Sequence, residues 1–202
     1  MSTPETHDQD PPVNRREMLQ IAMVSALLWL VLGSILIWLM PQADTAGIIA
    51  AGEPLAVQLT VGLVSGLLLG YAGVSLMKVE ALRIISDSFT VVRIIKKANL
   101  TNKDAFFISL SAGISEEWLF RAALIPLAGI TLASVLFVVV HGYIKFSSGA
   151  HLVFAAFMLL LSFALGLLFL YQGIFAAMIA HTVYDIAAFY GIRKQIESSQ
   201  ND

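Results

Sequence analysis

The sequence has no cysteine and little charge, and both shortages narrow what the chain can be. Without cysteine, disulfide bonds and thiolate metal sites are excluded. Charged residues make up 13% of the 202 residues, about half of the roughly 25% that is usual for a soluble domain. The net charge of −2 gives no reason to expect a nucleic-acid partner. What the chain has instead is apolar residues, at 58%.

These apolar residues are concentrated in long blocks. Residues 18–40 and 55–77 are each uncharged over 23 positions, and a helix needs about 20 residues to cross the hydrocarbon core of a bilayer. The first block is too long for the apolar region of a signal peptide, so we expect it to remain as a membrane helix. The sequence therefore predicts an all-α, polytopic membrane helix bundle of about six transmembrane helices, at 18–40, 55–77, 105–126, 130–145, 152–171 and 174–191.

The basic residues orient this bundle. Lysine and arginine occur before the first predicted span, between the second and third, at the very end of the fourth and after the sixth, and only Arg121 lies in the interior of a span. Positive residues favour the cytoplasmic side, so both termini are predicted to be cytoplasmic. The polar, proline-containing residues 1–17 are predicted to form a disordered tail, residues 18–192 the membrane-embedded domain, and residues 193–202 a short cytoplasmic tail.

Three local patterns predict structure around the second and third spans. Gly62, Gly66 and Gly70 lie four residues apart, which is typical of close helix packing. Thr101 and Asp104 match a capping box at the start of span three. Between these spans, apolar residues at helical spacing and an Arg83–Asp87 pair predict either a basic amphipathic helix on the membrane surface or a solvated connecting helix. The apolar residues of this pattern are Val79, Leu82, Ile85 and Phe89.

Six ionisable residues remain within the predicted spans, although burying one costs on the order of 3 kcal/mol. Glu117 and Arg121 are four residues apart and are predicted to form a structural ion pair. Glu116 projects about 100° away from Glu117 and stays free of that pair. His181 and Asp185 are also four residues apart, and an aspartate there can fix a histidine tautomer. The sixth residue is His141.

Three of these groups are predicted to lie at a similar depth in the membrane. Counted from the outer ends of their spans, Glu116 and His141 lie about 15 and 16 Å deep, and His181 lies about 12 Å deep. We therefore expect them to meet in one polar cavity. Such a group can activate a water for attack on a carbonyl, with the carboxylate as base. The same three residues are also candidate zinc ligands.

Three motifs on these spans resemble those of the CPBP family. Residues 116–121 read EExxxR, residues 137–141 read FxxxH, and residues 181–185 read HxxxD. The family includes the CAAX prenyl endopeptidases, Abi-like proteins of bacteria, and bacteriocin-processing or immunity proteins. The resemblance implies a catalytic core at 105–192 and a glutamate-dependent intramembrane endopeptidase, whose catalytic residues are Glu116, Glu117, His141, His181 and Asp185.

The resemblance also implies individual roles. Glu116 would activate water with help from His141, while His181 and residue 185 would stabilise the oxyanion, and Arg121 and Phe137 would be architectural. Many members have asparagine where this chain has Asp185. Because a carboxylate does not donate unless it is protonated, we expect Asp185 to orient His181 instead.

The leading hypothesis is thus an endopeptidase that cleaves a membrane-associated protein or peptide, in a bacterial plasma membrane and with the lipid bilayer as its other partner. No cofactor is required by this hypothesis, although zinc is possible. An alternative is a non-catalytic immunity or scaffold protein of the same family, in which the polar cluster serves helix assembly. A proton-coupled transporter is weaker, because the sequence shows neither internal repeats nor a pair of broken helices.

Overall fold

The computed structural model describes residues 14–40, 44–85, 88–89, 92–93, 95, 98 and 100–199, with side chains as far as residue 194. The predicted tail before residue 14 and the Asp87 partner of Arg83 lie outside these residues. A π-helical segment, Trp118–Ala123, connects two of the α-helices. In chain order the described α-helices are α1 Arg15–Leu39, α2 Thr45–Ala50, α3 Leu55–Leu76, α4 Glu80–Ile85, α5 Asn102–Glu117, α6 Leu124–Val140, α7 Gly149–Tyr171 and α8 Ile174–Ser199.

Five stretches of the described chain are long and apolar enough to cross a membrane. They are Arg15–Leu39, Leu55–Leu76, Asn102–Val140, Gly149–Tyr171 and Ile174–Lys194. No strand occurs among the described residues. The predicted all-α, polytopic membrane helix bundle is therefore confirmed. Both ends extend beyond the predicted spans, since α1 begins at Arg15 and α8 continues to Ser199.

The third stretch reverses direction at Gly129. Glu116 and His141 are separated by 25 positions, about 38 Å along a straight helix, yet Glu116 Oε2 lies 3.2 Å from His141 Nε2. Gly129 has non-helical dihedrals, φ 78° and ψ 162°, a conformation that glycine adopts without a steric penalty. Because the chain turns back there, this third stretch contains two of the predicted spans, 105–126 and 130–145.

The predicted span at 130–145 is wrong in its last five residues, 141–145. The helix ends at Val140, and His141 is its C-cap. The part after Gly129 is therefore about 17 Å long, roughly half of the ~30 Å hydrocarbon core. Residues 142–148 then continue without helix to the start of α7. Non-helical backbone at membrane depth is stable only where it is covered by protein or lines a cavity.

Polar contacts place three helix ends together. Arg15 at the start of α1 donates from Nε to Asp104 Oδ2 over 2.6 Å. Asp104 also completes the predicted capping box with Thr101 at the start of α5. Arg193 near the end of α8 donates to the side-chain oxygen of Asn102. The start of α1 and the end of α8 thus lie at the same end of the bundle.

The glycines of α3 pack directly on α8, which confirms the close packing predicted for them. A Cβ at Gly62 would lie 2.7 Å from the carbonyl oxygen of Ala176, and one at Gly66 would lie 2.7 Å from that of Ala180. A Cβ at Gly70 would lie 2.6 Å from that of Ala187. This contact fixes α8, and therefore His181 and Asp185, against the first half of the chain.

The segment after α3 does not lie free in solvent. Phe89 is 2% exposed, and its ring centroid lies 4.4 Å from that of Phe154 on α7. His151, near the start of α7, is also buried. Its Nε2 lies 3.0 Å from Ser88 Oγ, and its Nδ1 lies 2.8 Å from Ser148 Oγ. Neither predicted form of the segment accounts for this packing against the start of α7.

Candidate active site

The structure brings together the three residues that their depth predicted would meet. Glu116 Oε2 lies 3.2 Å from His141 Nε2 and 3.8 Å from His181 Nε2. The side chains come from α5, the C-cap of α6, and α8. Two imidazole rings therefore face one carboxylate oxygen.

Glu117 points away from Glu116 into a closed pocket of polar groups. Its Oε1 accepts from His181 Nδ1 over 2.7 Å and lies 3.0 Å from Arg121 Nη1. Arg121 Nη2 in turn donates to the backbone carbonyl of Ser162 over 2.9 Å and to its hydroxyl over 3.1 Å. The ion pair was predicted from the spacing. The bonds to His181 and Ser162 were not, because they join residues 64 and 41 positions apart.

These bonds determine which nitrogen of each ring carries a proton. An ionised carboxylate and a carbonyl oxygen can only accept hydrogen bonds. His181 Nδ1 faces Glu117, and His141 Nδ1 lies 2.7 Å from the carbonyl oxygen of Phe137, so both Nδ1 atoms carry hydrogen. In their neutral forms, both rings therefore present an unprotonated Nε2 to Glu116.

Asp185 does not hold the ring of His181 as the sequence suggested. Its Oδ2 lies 3.7 Å from His181 Nε2, which is longer than a hydrogen bond. The residue that fixes the tautomer is Glu117, at Nδ1. Asp185 is also the most exposed member of the group, with 24% of its side chain accessible. It lies at the margin of the cluster.

Phe137 packs among the other members. Its ring stacks on His141 with a centroid distance of 4.3 Å and an interplanar angle of 28°. It meets His181 edge-on at 5.9 Å, and the Arg121 guanidinium lies 5.0 Å above it. One buried ring thus contacts the three residues that bear on Glu116 and Glu117. This is the architectural position that the motif resemblance implied.

The helix that carries both glutamates changes its winding directly after them. Residues Trp118–Ala123, which include Arg121, form a π-helix. Short π-helical insertions within α-helices occur frequently at functional sites. Nothing in the sequence WLFRAA indicates the change, because π-helical winding has no composition of its own.

A cavity of about 360 Å³ lies in front of the cluster. Glu116, His141, His181 and Asp185 all line it. The rest of its wall is mostly apolar, and it extends towards the end of the bundle where α1 begins and α8 ends, at Met18, Val92 and Ile192. Glu117 does not line it, and its side chain is 0% exposed. The two neighbouring glutamates therefore differ in access: only Glu116 can meet a substrate.

The three facing atoms are of the types that bind zinc, and each histidine has its Nδ1 hydrogen-bonded as ligating histidines usually do. However, among the described residues no group of three His, Asp or Glu side chains is arranged to hold a metal ion. What the arrangement offers directly is a carboxylate and two nitrogen acceptors around a space in which a water can be held.

Comparison with known proteins bears on the same part of the chain. The family model described as type II CAAX prenyl endopeptidase Rce1-like matches residues 100–187. That stretch contains the three motifs and every residue of the cluster. No curated protein and no solved structure matches the chain. The chain is an integral membrane protein whose residues 100–187 match the Rce1-like model, and this match supports the resemblance to the CPBP/CAAX protease family that its motifs predicted.

Proposed function

We propose that this protein is an intramembrane endopeptidase that hydrolyses a peptide bond of a membrane-associated protein or peptide with a water activated by Glu116. The observation that carries the proposal is the different use of the two glutamates. Glu117 is committed to Arg121 and His181, whereas Glu116 is held between two Nε2 atoms on the wall of a cavity. A carboxylate placed in this way is suited to act as a general base.

The proposed reaction uses these groups in two steps. A water in the cavity that hydrogen-bonds both Glu116 and His141 transfers a proton to Glu116 as its oxygen attacks the carbonyl carbon, which gives a tetrahedral oxyanion. His141 Nε2 accepts a hydrogen bond from the second hydrogen of that water and thereby directs a lone pair of the water oxygen at the carbonyl carbon. The intermediate then collapses, the carbon–nitrogen bond breaks, and the proton on Glu116 passes to the leaving amine. Both steps conserve atoms and charge.

The oxyanion needs a hydrogen-bond donor, and His181 is the group we assign to it. With Glu116, Glu117 and Asp185 ionised, Arg121 positive and both rings neutral, the cluster would carry a charge of −2. An unbalanced charge is strongly disfavoured among apolar side chains. A further proton on His181 Nε2 reduces that charge and turns this atom towards the cavity as a donor, while Glu117 holds the opposite nitrogen.

The cavity and the basic residues suggest where the reaction takes place. The cavity extends towards the end that carries Arg15 and Arg193, which positive-inside bias assigns to the cytoplasm. We propose that the protein lies in a bacterial plasma membrane with both termini cytoplasmic. Its partners are then the lipid bilayer and a substrate that reaches the cavity from this side, with no role for nucleic acid.

Glu116→Gln tests the proposal. The substitution keeps the size and the hydrogen-bonding capacity of the side chain but removes the base. Membrane proteomics should compare the wild type, a deletion strain and this variant. We expect peptide termini in the wild type that are missing from both the deletion strain and the variant. The matched control is Glu80→Gln, the same change at an exposed position of α4. We expect it to retain all processing.

The alternative function predicts the opposite result for Glu116→Gln. A non-catalytic scaffold or immunity protein would tolerate Glu116→Gln, so a variant that still produces the termini contradicts the proposal. Zinc is tested separately with the purified protein in detergent. If cleavage of an identified substrate survives 1,10-phenanthroline, the reaction does not require zinc. If cleavage is lost and returns with added zinc, Glu116, His141 and His181 are the candidate ligands.

A further inference from the structure

Tyr143 is placed beside the cluster by the way in which α6 ends. His141 is the C-cap, and Gly142 follows with φ +68°. The N–H of Gly142 donates to the carbonyl oxygen of Val139 over 3.0 Å, and that of Tyr143 donates to Val138 over 3.1 Å. These two bonds form a Schellman motif. The motif satisfies helix-end carbonyls inside the bundle, and it turns the chain so that Tyr143 folds back towards His141.

The ring of Tyr143 lies almost parallel to that of His141. Their centroids are 5.5 Å apart and the interplanar angle is 14°. Phe137 stacks on the same imidazole at 4.3 Å. With two near-parallel rings against it, the imidazole cannot rotate about its Cβ–Cγ bond without driving an edge into one of them. The direction of Nε2 towards Glu116 is therefore determined by rings as well as by the Nδ1 hydrogen bond.

Tyr143 is itself held by two other aromatic residues. Phe89 meets it edge-on at 6.2 Å, and Phe154 meets it edge-on at 5.7 Å. Both are arrangements that aromatic rings favour. Phe89 is buried and comes from the segment after α3. A side chain from outside the matched part of the chain thus supports the residue that packs on His141.

We propose that Tyr143 is a positioning residue whose ring holds the imidazole of His141 in line with Glu116. The expected effect on cleavage rests on the proposed function. The expected effect on the orientation of the His141 ring does not. The ring provides the contact, so the hydroxyl is dispensable. Phenylalanine at position 143 should preserve the arrangement, whereas leucine should release the imidazole.

The structural test follows the histidine signals of the full-length protein in nanodiscs. The chain has four histidines, so ¹³C,¹⁵N-histidine labelling gives few signals, and single His→Gln variants assign them. Tyr143→Leu should move the ring-proton signals of His141 downfield, because one ring current is lost, while those of His181 stay in place. Tyr143→Phe should leave both unchanged. Unmoved His141 signals in Tyr143→Leu would overturn the proposal whatever the enzyme does.

Gly142→Ala provides a second variant if Tyr143→Leu does not fold. A Cβ there meets nothing within 4 Å, but alanine disfavours the positive φ. The turn should shift and displace the His141 signals in the same direction, by less. Unmoved signals in this variant would likewise count against the proposal.

The kinetic test uses a substrate identified through the Glu116→Gln comparison. Tyr143→Leu should lower kcat by roughly 10- to 100-fold, the loss that a misplacement of about 1 Å produces, with KM unchanged. Tyr143→Phe should retain the wild-type kcat. If Tyr143→Phe loses as much as Tyr143→Leu, the hydroxyl matters and the positioning role is wrong. If Glu116→Gln still cleaves, the proposed function fails, and the NMR result alone decides the placement.

Discussion

The polar cluster has a closed side and an open side, although both begin from neighbouring glutamates. On the closed side, Glu117 and Arg121 have 0% and 2% of their side chains exposed. On the open side, Glu116 has 13% and Asp185 has 24% exposed. His181 lies between them, with Nδ1 on Glu117 and Nε2 towards Glu116. The charged groups are thus divided into a closed side that is buried and an open side that faces the cavity.

The difference shows that adjacent acidic residues can serve stability and chemistry separately. A buried ion pair is stable only while complete, because removal of one partner leaves the other charged and desolvated. An open carboxylate needs no fixed partner, since water or a substrate can supply one. The closed side should therefore respond to substitution by unfolding, and the open side by losing activity while it stays folded.

The largest effect is expected from Arg121→Met. The substitution keeps an unbranched apolar stem but leaves Glu117 buried with only His181 beside it, and it removes the donor to Ser162. Breaking a buried pair in this way destabilises a protein by about 3–5 kcal/mol. We expect a strongly reduced amount of protein in the membrane and a lower melting temperature in detergent. A variant as stable as the wild type would mean that the closed side is not structural.

Removing both members of the pair should separate folding from activity. In the double variant Glu117→Leu, Arg121→Met, no charge is left unpaired on the closed side, and such replacements of buried pairs are often neutral. Melting temperature should recover most of what Arg121→Met loses. Processing should not recover, because His181 Nδ1 has lost its acceptor and the ring its orientation. If processing also returned, Glu117 would have no part in orienting His181.

Local patterns in the sequence predicted most of the fold and the open side of the site. Apolar run lengths gave the spans, and counting inward from their ends placed Glu116, His141 and His181 at one level. The closed side was only half predicted. The Glu117–Arg121 pair is a contact between successive turns of one helix, but the bonds from Glu117 to His181 and from Arg121 to Ser162 depend on how helices pack.

The same limit explains why the end of α6 was misplaced. Residues 141–145 read HGYIK, and the prediction carried the span through Gly142 to Lys145. Gly142 was the available signal, since glycine is the usual residue after a C-cap. Whether Gly142 ends the helix depends on the tertiary contact that Tyr143 makes once the turn has formed.

Asp185→Asn tests the open side at its margin. The carboxylate is too distant from His181 Nε2 for a hydrogen bond, so removing its charge should leave the ring in place. An asparagine amide can also donate to an oxyanion, which an ionised carboxylate cannot do. We expect wild-type stability and cleavage within about 10-fold of the wild type, in either direction, for the loss or gain of one hydrogen bond. A loss as large as that of Glu116→Gln would instead make Asp185 an essential part of the chemistry.

Ser162→Ala should have the smallest effect, because it removes one of several contacts on the closed side. Arg121 Nη2 loses the hydroxyl at 3.1 Å but keeps the backbone carbonyl of the same residue at 2.9 Å. The loss of one buried hydrogen bond of this kind costs about 1 kcal/mol. Melting temperature should fall slightly while kcat for an identified substrate stays unchanged, since neither Glu116 nor His181 moves. A change in kcat without a change in melting temperature would show that the closed side tunes the reaction directly, and the division between the two sides would then fail.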